Sequence, residues 1–186
     1  MAGRASIELR RARQDDALNV AGVHLGSWRV AYRGVIPDDY LDALDVTERA
    51  SRYSFELDGP DDPATWVALN GGSVLGFVTV GPSRDGAART GEVMALYVDP
   101  RRWRTGTGSR LMAVGEERLA DRGFVRAVLW VLERNPRARA FYEAAGWRPD
   151  GETTTVEIGG RELVELRYAK DLRQRDARDA SPTRSG

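Results

Sequence analysis

Residues 92–112 read Glu92-Val-Met-Ala-Leu-Tyr-Val98-Asp-Pro100-Arg-Arg-Trp103-Arg-Thr-Gly106-Thr-Gly108-Ser-Arg-Leu111-Met112. The apolar run Glu92–Val98 predicts a strand, which Asp99-Pro100 stops. Two glycines follow. From Gly106 onward Leu111, Met112, Gly115 and Leu119 recur at helical spacing as far as Arg122. A strand therefore feeds through a glycine turn straight into a helix. The first N–H groups of a helix have no partner inside it. With the helix dipole they attract an anion, and glycine lets the backbone close on a phosphate. Arg104, Thr105, Gly106, Thr107, Gly108 and Ser109 are thus a candidate pyrophosphate cradle, although a tight strand-to-helix turn alone asks for the same glycines. The stretch is not a G-x-G-x-x-G fingerprint, because position 111 is Leu111, and it lacks the lysine of a Walker A loop.

The flanks extend the pattern. Trp66–Leu69 and Ser73–Val80 read as strands joined at Asn70-Gly71-Gly72, a hairpin signal. Before them, Ile7–Arg11 alternates like a strand. Asp15–Tyr32 carries Leu18, Ala21, Leu25, Trp28 and Tyr32 on one helical face. Gly34 and Pro37 break that helix, Pro37–Leu44 reads as a short one, and Thr47 is expected to cap another through about Leu57. Downstream, Gly123-Phe124 closes the glycine-turn helix with a C′ glycine and an apolar contact. Val125–Leu132 reads as a strand. Asn135-Pro136 reads as N-cap and first residue of a helix ending at Gly146-Trp147. Thr153–Ile158 and Leu163–Ala169 form a last hairpin across Gly159-Gly160. This order predicts an α+β domain: one mixed, mostly antiparallel twisted sheet of about seven strands with helices on both faces. Residues 1–170 are expected to form a single domain, and 171–186, charged and without periodicity, a disordered tail.

Composition narrows the chemistry. The chain has 186 residues, 28 basic and 28 acidic ones, one histidine and no cysteine. That length suits one domain with a real core. Without cysteine there is no disulfide framework, no thiolate metal site and no thiol nucleophile, and one histidine cannot make a multi-histidine site, so no metal is expected. Zero net charge gives no overall field toward nucleic acid or membrane. No apolar run approaches the roughly 20 residues that span a bilayer, and the first residues lack a signal-peptide stretch. The expectation is a cytoplasmic protein with neither nucleic-acid nor membrane partner. Lys170 is the only lysine, which reads as composition bias rather than function.

Two linked patterns resemble the GNAT superfamily of acyl-CoA-dependent N-acyltransferases. The first is Leu96-Tyr-Val-Asp-Pro100 followed by Trp103-Arg-Thr-Gly106-Thr-Gly108. The second, about 27 residues on, is Asn135-Pro-Arg-Ala138-Arg-Ala-Phe141-Tyr142-Glu-Ala-Ala-Gly146-Trp147. The family layout covers roughly residues 6–170. Arg104 stands where many relatives have a further glycine, and Trp103 where the older pattern has Gln or Arg. Neither removes a backbone amide, and Arg104 adds a possible phosphate contact. The resemblance implies a sheet splayed beside the third long strand, with the pantetheine arm of acetyl-CoA paired to the backbone of Leu96, Tyr97 and Val98. It implies that the Leu96 N–H polarises the thioester carbonyl and that the pyrophosphate meets Arg104–Ser109. Asn135 would hold the pantetheine or cap its helix, and both can be true. Dimers common in the family leave a homodimer open.

Acyl transfer to an amine needs a base to free the nitrogen lone pair and an acid for the departing thiolate. Tyr142 matches the family's acid, with packing against the sheet as its plainer reading. Glu92 sits where related histone acetyltransferases keep their base, and it shares a strand face with Met94, Leu96 and Val98 unless a bulge intervenes. At four residues, about 13 Å, it would act through water. Its plainer reading is a solvated strand end. With no cysteine, direct attack of the amine on bound acetyl-CoA is expected rather than an acyl-enzyme. His24, Trp28 and Tyr32 share a helix face and are the candidate acceptor wall, with core packing as the alternative. A small-molecule amine is the expected acceptor, ahead of a protein or peptide N-terminus or lysine. A non-catalytic acyl-CoA-binding module is the rival from another class.

Overall fold

The computed structural model describes residues 7–57 and 59–173. Strands β1 (Glu8–Arg11), β2 (Ala64–Asn70), β3 (Ser73–Pro82), β4 (Thr90–Val98), β5 (Arg126–Leu132), β6 (Arg148–Ile158) and β7 (Arg161–Asp171) form one sheet in the order β1-β2-β3-β4-β5-β7-β6. Helices α1 (Ala17–Ala31), α2 (Asp38–Ala43) and α3 (Val46–Ser51) precede β2. Helix α4 (Thr107–Asp121) links β4 to β5, and α5 (Pro136–Ala144) links β5 to β6. Only β4 and β5 run parallel. A parallel neighbour requires a crossover, and α4 is that crossover. The mixed, mostly antiparallel seven-stranded sheet is therefore as expected.

Each face of the sheet buries a different set of side chains. On one face Leu111, Met112 and Leu119 of α4 pack with Val78, Val80, Val93, Leu129 and Trp147. Helix and sheet approach closely at Gly115, where a Cβ would meet Val78 and Val80 methyls at 3.1 Å. On the other face Val20 and Val23 of α1 pack with Val67, Leu69 and Phe77. A third cluster joins Ile36 and Leu41 to Leu132 and Leu163, closing α2 over the end of β5 and β7. The α1 face is set by Val20, Ala21 and His24 rather than Leu18, which is 55% exposed.

Lys170 has a structural role that composition did not reveal. Its Nζ lies 2.8 Å from both carboxylate oxygens of Glu116 and from the Ala145 carbonyl. Trp147, fully buried, donates its indole N–H to the same carboxylate at 3.0 Å. The one lysine thus neutralises a buried acid of α4 and ties that helix to β7 and the end of α5.

Several boundaries differ from the expectations. Asp45, not Thr47, caps α3, its carboxylate accepting from the Glu48 N–H at 2.7 Å. That helix ends at Ser51. Strand β7 runs through Asp171 and Leu172 is buried in the main core, so the fold extends past residue 170. The expected tail beyond residue 173 lies outside the described residues.

The decisive irregularity is in β4. Thr79 faces Ala95 and Val80 faces Val93, so Met94 is an extra residue, a bulge. Val93, Leu96 and Val98 consequently pack on the α4 face, and Ala95 and Tyr97 on the α1 face. Glu92, one residue before Val93, turns to the α1 face. It does not share a face with Leu96 and Val98, because the inserted residue reverses the alternation.

Candidate active site

Strand β4 leaves β5 after three pairs, Thr90 with Arg126, Gly91 with Ala127 and Glu92 with Val128. It stays on β3 to Val98. The sheet is therefore open along one edge of β4 from the bulge onward. The Asp99 N–H bonds the Leu75 carbonyl at 2.8 Å. A Cβ on Gly76 would meet the Tyr97 carbonyl at 2.8 Å. Both groups point toward β3. Since peptide groups alternate along a strand, those of Leu96 and Val98 face the open edge. The backbone of Tyr97 does not, and Tyr97 contributes its side chain instead.

The open edge leads into a cleft of about 350 Å³, walled by Leu96, Tyr97, Val98, Asn135, Phe141 and Tyr142. At its outer end Gly106 caps α4 with φ +86°, and Arg104 also takes a left-handed backbone, φ +64°. Arg104 occupies a conformation that glycine adopts more easily. The first α4 amide with an acceptor in the turn is that of Arg110, on the Gly106 carbonyl. The amides just before it are those a helix leaves free. Gly108 lies under the Phe141 ring, where a Cβ would sit 3.5 Å away. The Thr105 and Thr107 hydroxyls contact each other at 3.1 Å. Arg102, Arg104 and Arg137 border the mouth. The Arg137 guanidinium stacks 3.3 Å from the centre of the Trp103 ring. This end is shaped for an anion.

Two contacts hold the floor of β4. The Val98 carbonyl accepts from the Ser27 hydroxyl at 2.7 Å and from the Trp103 indole at 2.9 Å. That carbonyl is fully used, so the groups left to pair with an incoming chain are the Leu96 N–H and C=O and the Val98 N–H. Asn135 caps α5, accepting from the Ala138 N–H at 3.1 Å, and also lines the cleft. Ser27, Trp103 and Arg137 were not expected as site residues. Trp103 and Arg137 lie inside the two motifs, whereas Ser27 carried no local signal.

The Tyr142 hydroxyl makes no hydrogen bond to the described residues, and burial, then Tyr97, pushes its pKa up. It holds its proton at neutral pH. Trp28 and Tyr32 line the cleft, edge to face at 5.4 Å. Burial likewise raises Tyr32 and Tyr97. His24 lies behind this wall rather than in it. Its ring stacks on Tyr97 at 4.3 Å and its Nδ1 contacts the Tyr53 hydroxyl at 2.7 Å. Burial, helped by Arg49, lowers its pKa to about 3.

Two glutamates approach this region on the α1 face. Glu92 is fully buried and absent from the cleft wall. Its carboxylate is taken up by Arg84, through the backbone N–H at 3.0 Å, Nε at 2.7 Å and NH2 at 2.5 Å. Glu165 of β7, which the sequence did not single out, lines the cleft with Trp130 and Tyr32. Among the described residues no group of three or more His, Cys, Asp or Glu side chains could hold a metal ion, and no helix is long and apolar enough to cross a membrane.

Comparison with known proteins agrees with this geometry. Residues 28–147 match the model of the acetyltransferase (GNAT) family. The chain is 38% identical over 163 residues to the N-acetyltransferase YuaI of Bacillus subtilis, covering 86% of this chain and 90% of the relative. It is 31% identical over 157 residues to the probable N-acetyltransferase Rv2775 of Mycobacterium tuberculosis, covering 81% and 85%. The crystal structure of the PaiA N-acetyltransferase of Thermoplasma acidophilum with coenzyme A superposes with a TM-score of 0.70 at 20% identity, covering 89% of this chain and 99% of that one.

Proposed function

The chain belongs to the GNAT family of acetyl-CoA-dependent N-acetyltransferases, and from that premise we propose that it acetylates a small-molecule primary amine by direct attack within a ternary complex. The observation that carries this reading is the unpaired edge of β4, Leu96 to Val98, lying between a glycine cradle and the Tyr142 hydroxyl in one cleft. The residues fit the donor. Free α4 amides and three arginines suit its phosphates, and the Leu96 and Val98 peptide groups suit the amides of its pantetheine arm. Bound acetyl-CoA would supply an acetyl group activated as a thioester.

The chain's own groups do the rest. The Leu96 N–H, fixed by β3 on one side and open on the other, donates to the carbonyl oxygen as negative charge gathers there. Tyr142, kept protonated by burial, faces the departing sulfur and donates its proton there as negative charge gathers on it. Without cysteine no thiol carries the acetyl group on the way. Beside the acceptor end the β6–β7 turn is held in place: Tyr40 of α2 packs on Gly159, and Arg161 donates to the Val35 carbonyl at 2.9 Å. An aromatic pocket lined by Trp28, Tyr32, Tyr97 and Trp130 favours a small amine with an apolar body.

Thermal unfolding with coenzyme A, acetyl-CoA and succinyl-CoA tests the donor. A ligand that binds only the folded state at a hundred times its Kd adds about 2.7 kcal/mol of stability. No stabilisation by any of the three at millimolar concentration would overturn the reading. Thiol release over a panel of amines and short peptides then identifies the acceptor class.

A further inference from the structure

We propose that Glu165, not Glu92, is the carboxylate that receives the acceptor's ammonium group and removes its proton, and that this pocket takes primary amines carried on an apolar or aromatic body. The inference rests on the acetyltransferase reading and adds the acceptor side to it.

Three observations carry it. The first is position along the sheet. Glu92 stands opposite Val128 of β5, whereas Glu165 stands opposite Leu132, four residues or about 13 Å further on. In the parallel register of β4 and β5, less one residue for the Met94 bulge, Leu96 falls level with Val131, the neighbour of Leu132. Glu165 therefore stands abreast of the amide assigned to the thioester oxygen, and Glu92 sits back where the two strands still pair.

The second is occupancy. The Glu92 carboxylate is buried and spent on Arg84. The Glu165 carboxylate, half-buried, accepts no hydrogen bond and makes no ion pair among the described residues. A carboxylate brought this far out of water is normally paired, and one facing a cleft without a partner is placed for a cation from outside.

The third is the surrounding wall. Trp28 and Tyr32 of α1, Tyr97 of β4, Trp130 of β5 and Ile158 of β6 share the cleft with Glu165. Aromatic faces suit both the ammonium and the hydrocarbon beside it. The charged and titratable groups that act on Glu165 are Arg84 from the β3–β4 loop, Glu92 from β4, and the hydroxyls of Tyr32 and Tyr97. Burial raises its pKa most, Glu92 adds to this and Arg84 opposes it. A raised carboxylate is a stronger base than an ordinary one. Glu92 and Arg84 thus act as positioning residues for Glu165.

The protons balance. Glu165 takes one proton from the ammonium and later yields it to water. The freed lone pair forms the N–C bond, and the C–S bond breaks. Tyr142 protonates the sulfur and is restored by the second proton lost from nitrogen.

The decisive measurement is the carboxyl titration of Glu165 by carbon NMR in glutamate-labelled protein with coenzyme A, the signal assigned by its loss in Glu165→Gln. Glu165 is expected to titrate above the ordinary glutamate range, and 2-phenylethylamine to lower that midpoint. An ordinary midpoint, or no response to 2-phenylethylamine at 10 mM (on the order of the millimolar range of weak ligands), would overturn the inference. Kinetics give the second arm. With 2-phenylethylamine as acceptor, Glu165→Gln should lower kcat by about 10²-fold and remove the acid limb of the pH profile, while coenzyme A still stabilises the variant. Should Glu92→Gln alone remove that limb, the base is Glu92 and the proposal falls. If coenzyme A fails to stabilise the wild type, the donor reading fails instead, and the two failures are distinguishable.

Discussion

The two halves of the cleft, donor and acceptor in the proposed reading, are made of different material. The donor half is backbone: the free edge of β4 at Leu96 and Val98, and the α4 amides behind Gly106. The acceptor half is side chains from α1, β4, β5, β7 and the β3–β4 loop, namely Trp28, Tyr32, Tyr97, Trp130, Glu165 and Arg84. Backbone geometry is enforced by a few short local signals, such as a glycine at positive φ or an Asn-Pro helix start. A wall of side chains is enforced only by the whole fold. The donor half therefore tolerates little change in conformation, and the acceptor half can be rebuilt by substitution without touching the sheet.

The largest effect expected from a single change lies in the scaffold under the donor half. Lys170→Met leaves Glu116, 3% exposed, as a buried carboxylate without its cation. Breaking a buried pair in this way costs about 3–5 kcal/mol, or roughly 10 °C in Tm for a chain of this size. The double variant Glu116→Gln with Lys170→Met should recover most of the loss, because the amide still accepts from Trp147 and no charge is stranded. Urea unfolding of the two variants checks this. Equal destabilisation of both would show that packing, not charge, holds α4 there.

Next in size is the proposed acid, Tyr142, that bridges the two halves. Tyr142→Phe should lower kcat by about 10²-fold and leave the affinity for acetyl-CoA, read by calorimetry, nearly unchanged. The ring packs against Phe141 and Tyr168 at 5.4 and 6.4 Å, so phenylalanine fills the same space. A kcat equal to wild type would take Tyr142 out of proton transfer.

The same division explains what the sequence made legible. The hairpin at Gly71-Gly72, the caps at Gly123, Asn135 and Gly146 and the glycine turn before α4 are local, and each stands where it was expected. Met94 looks like an ordinary member of an apolar strand, and only its pairing with β3 makes it a bulge. That one residue turned Glu92 away from the Leu96 face. Asp45 outcompeted Thr47 as a cap because its carboxylate lies three residues before Glu48 and reaches that N–H. Glu165 carried no sequence signal, since it is one of several charged residues in its strand and its proposed role depends on β4 parting from β5. Lys170 gained its meaning only from Glu116, 54 residues away.

The smallest effect concerns the layer behind the acceptor wall, where His24 stacks on Tyr97. Its Nε2 is buried without a partner, so there is no acceptor ready for a second proton. Burial first, and Arg49 second, lower its pKa from 6.5 to about 3. The unfolded chain thus binds this proton below about pH 6.5 while the folded chain refuses it down to about 3. When the unfolded state holds more protons, stability rises with pH and is lost as pH falls. The loss should begin near pH 6.5 and reach a slope of about 1.4 kcal/mol per pH unit. The carboxylates that Arg10 and Arg101 hold low, Asp16 and Asp99, weaken the fold only nearer pH 4 and below, and the raised Glu165 carboxyl acts in the opposite sense, so the imidazole is isolated as the difference between the wild type and a variant without it. His24→Phe keeps an aromatic ring against Tyr97 and removes the titration. From pH 6.5 to 5 the denaturant midpoint of the wild type should fall steadily relative to that of the variant. A wild-type midpoint that stays parallel to the variant's from pH 6.5 to 5 would mean that the imidazole accepts its proton inside the fold. The acceptor wall would then have a positive charge behind it, and the contrast between a fixed donor edge and an adaptable acceptor wall would have to be redrawn around His24.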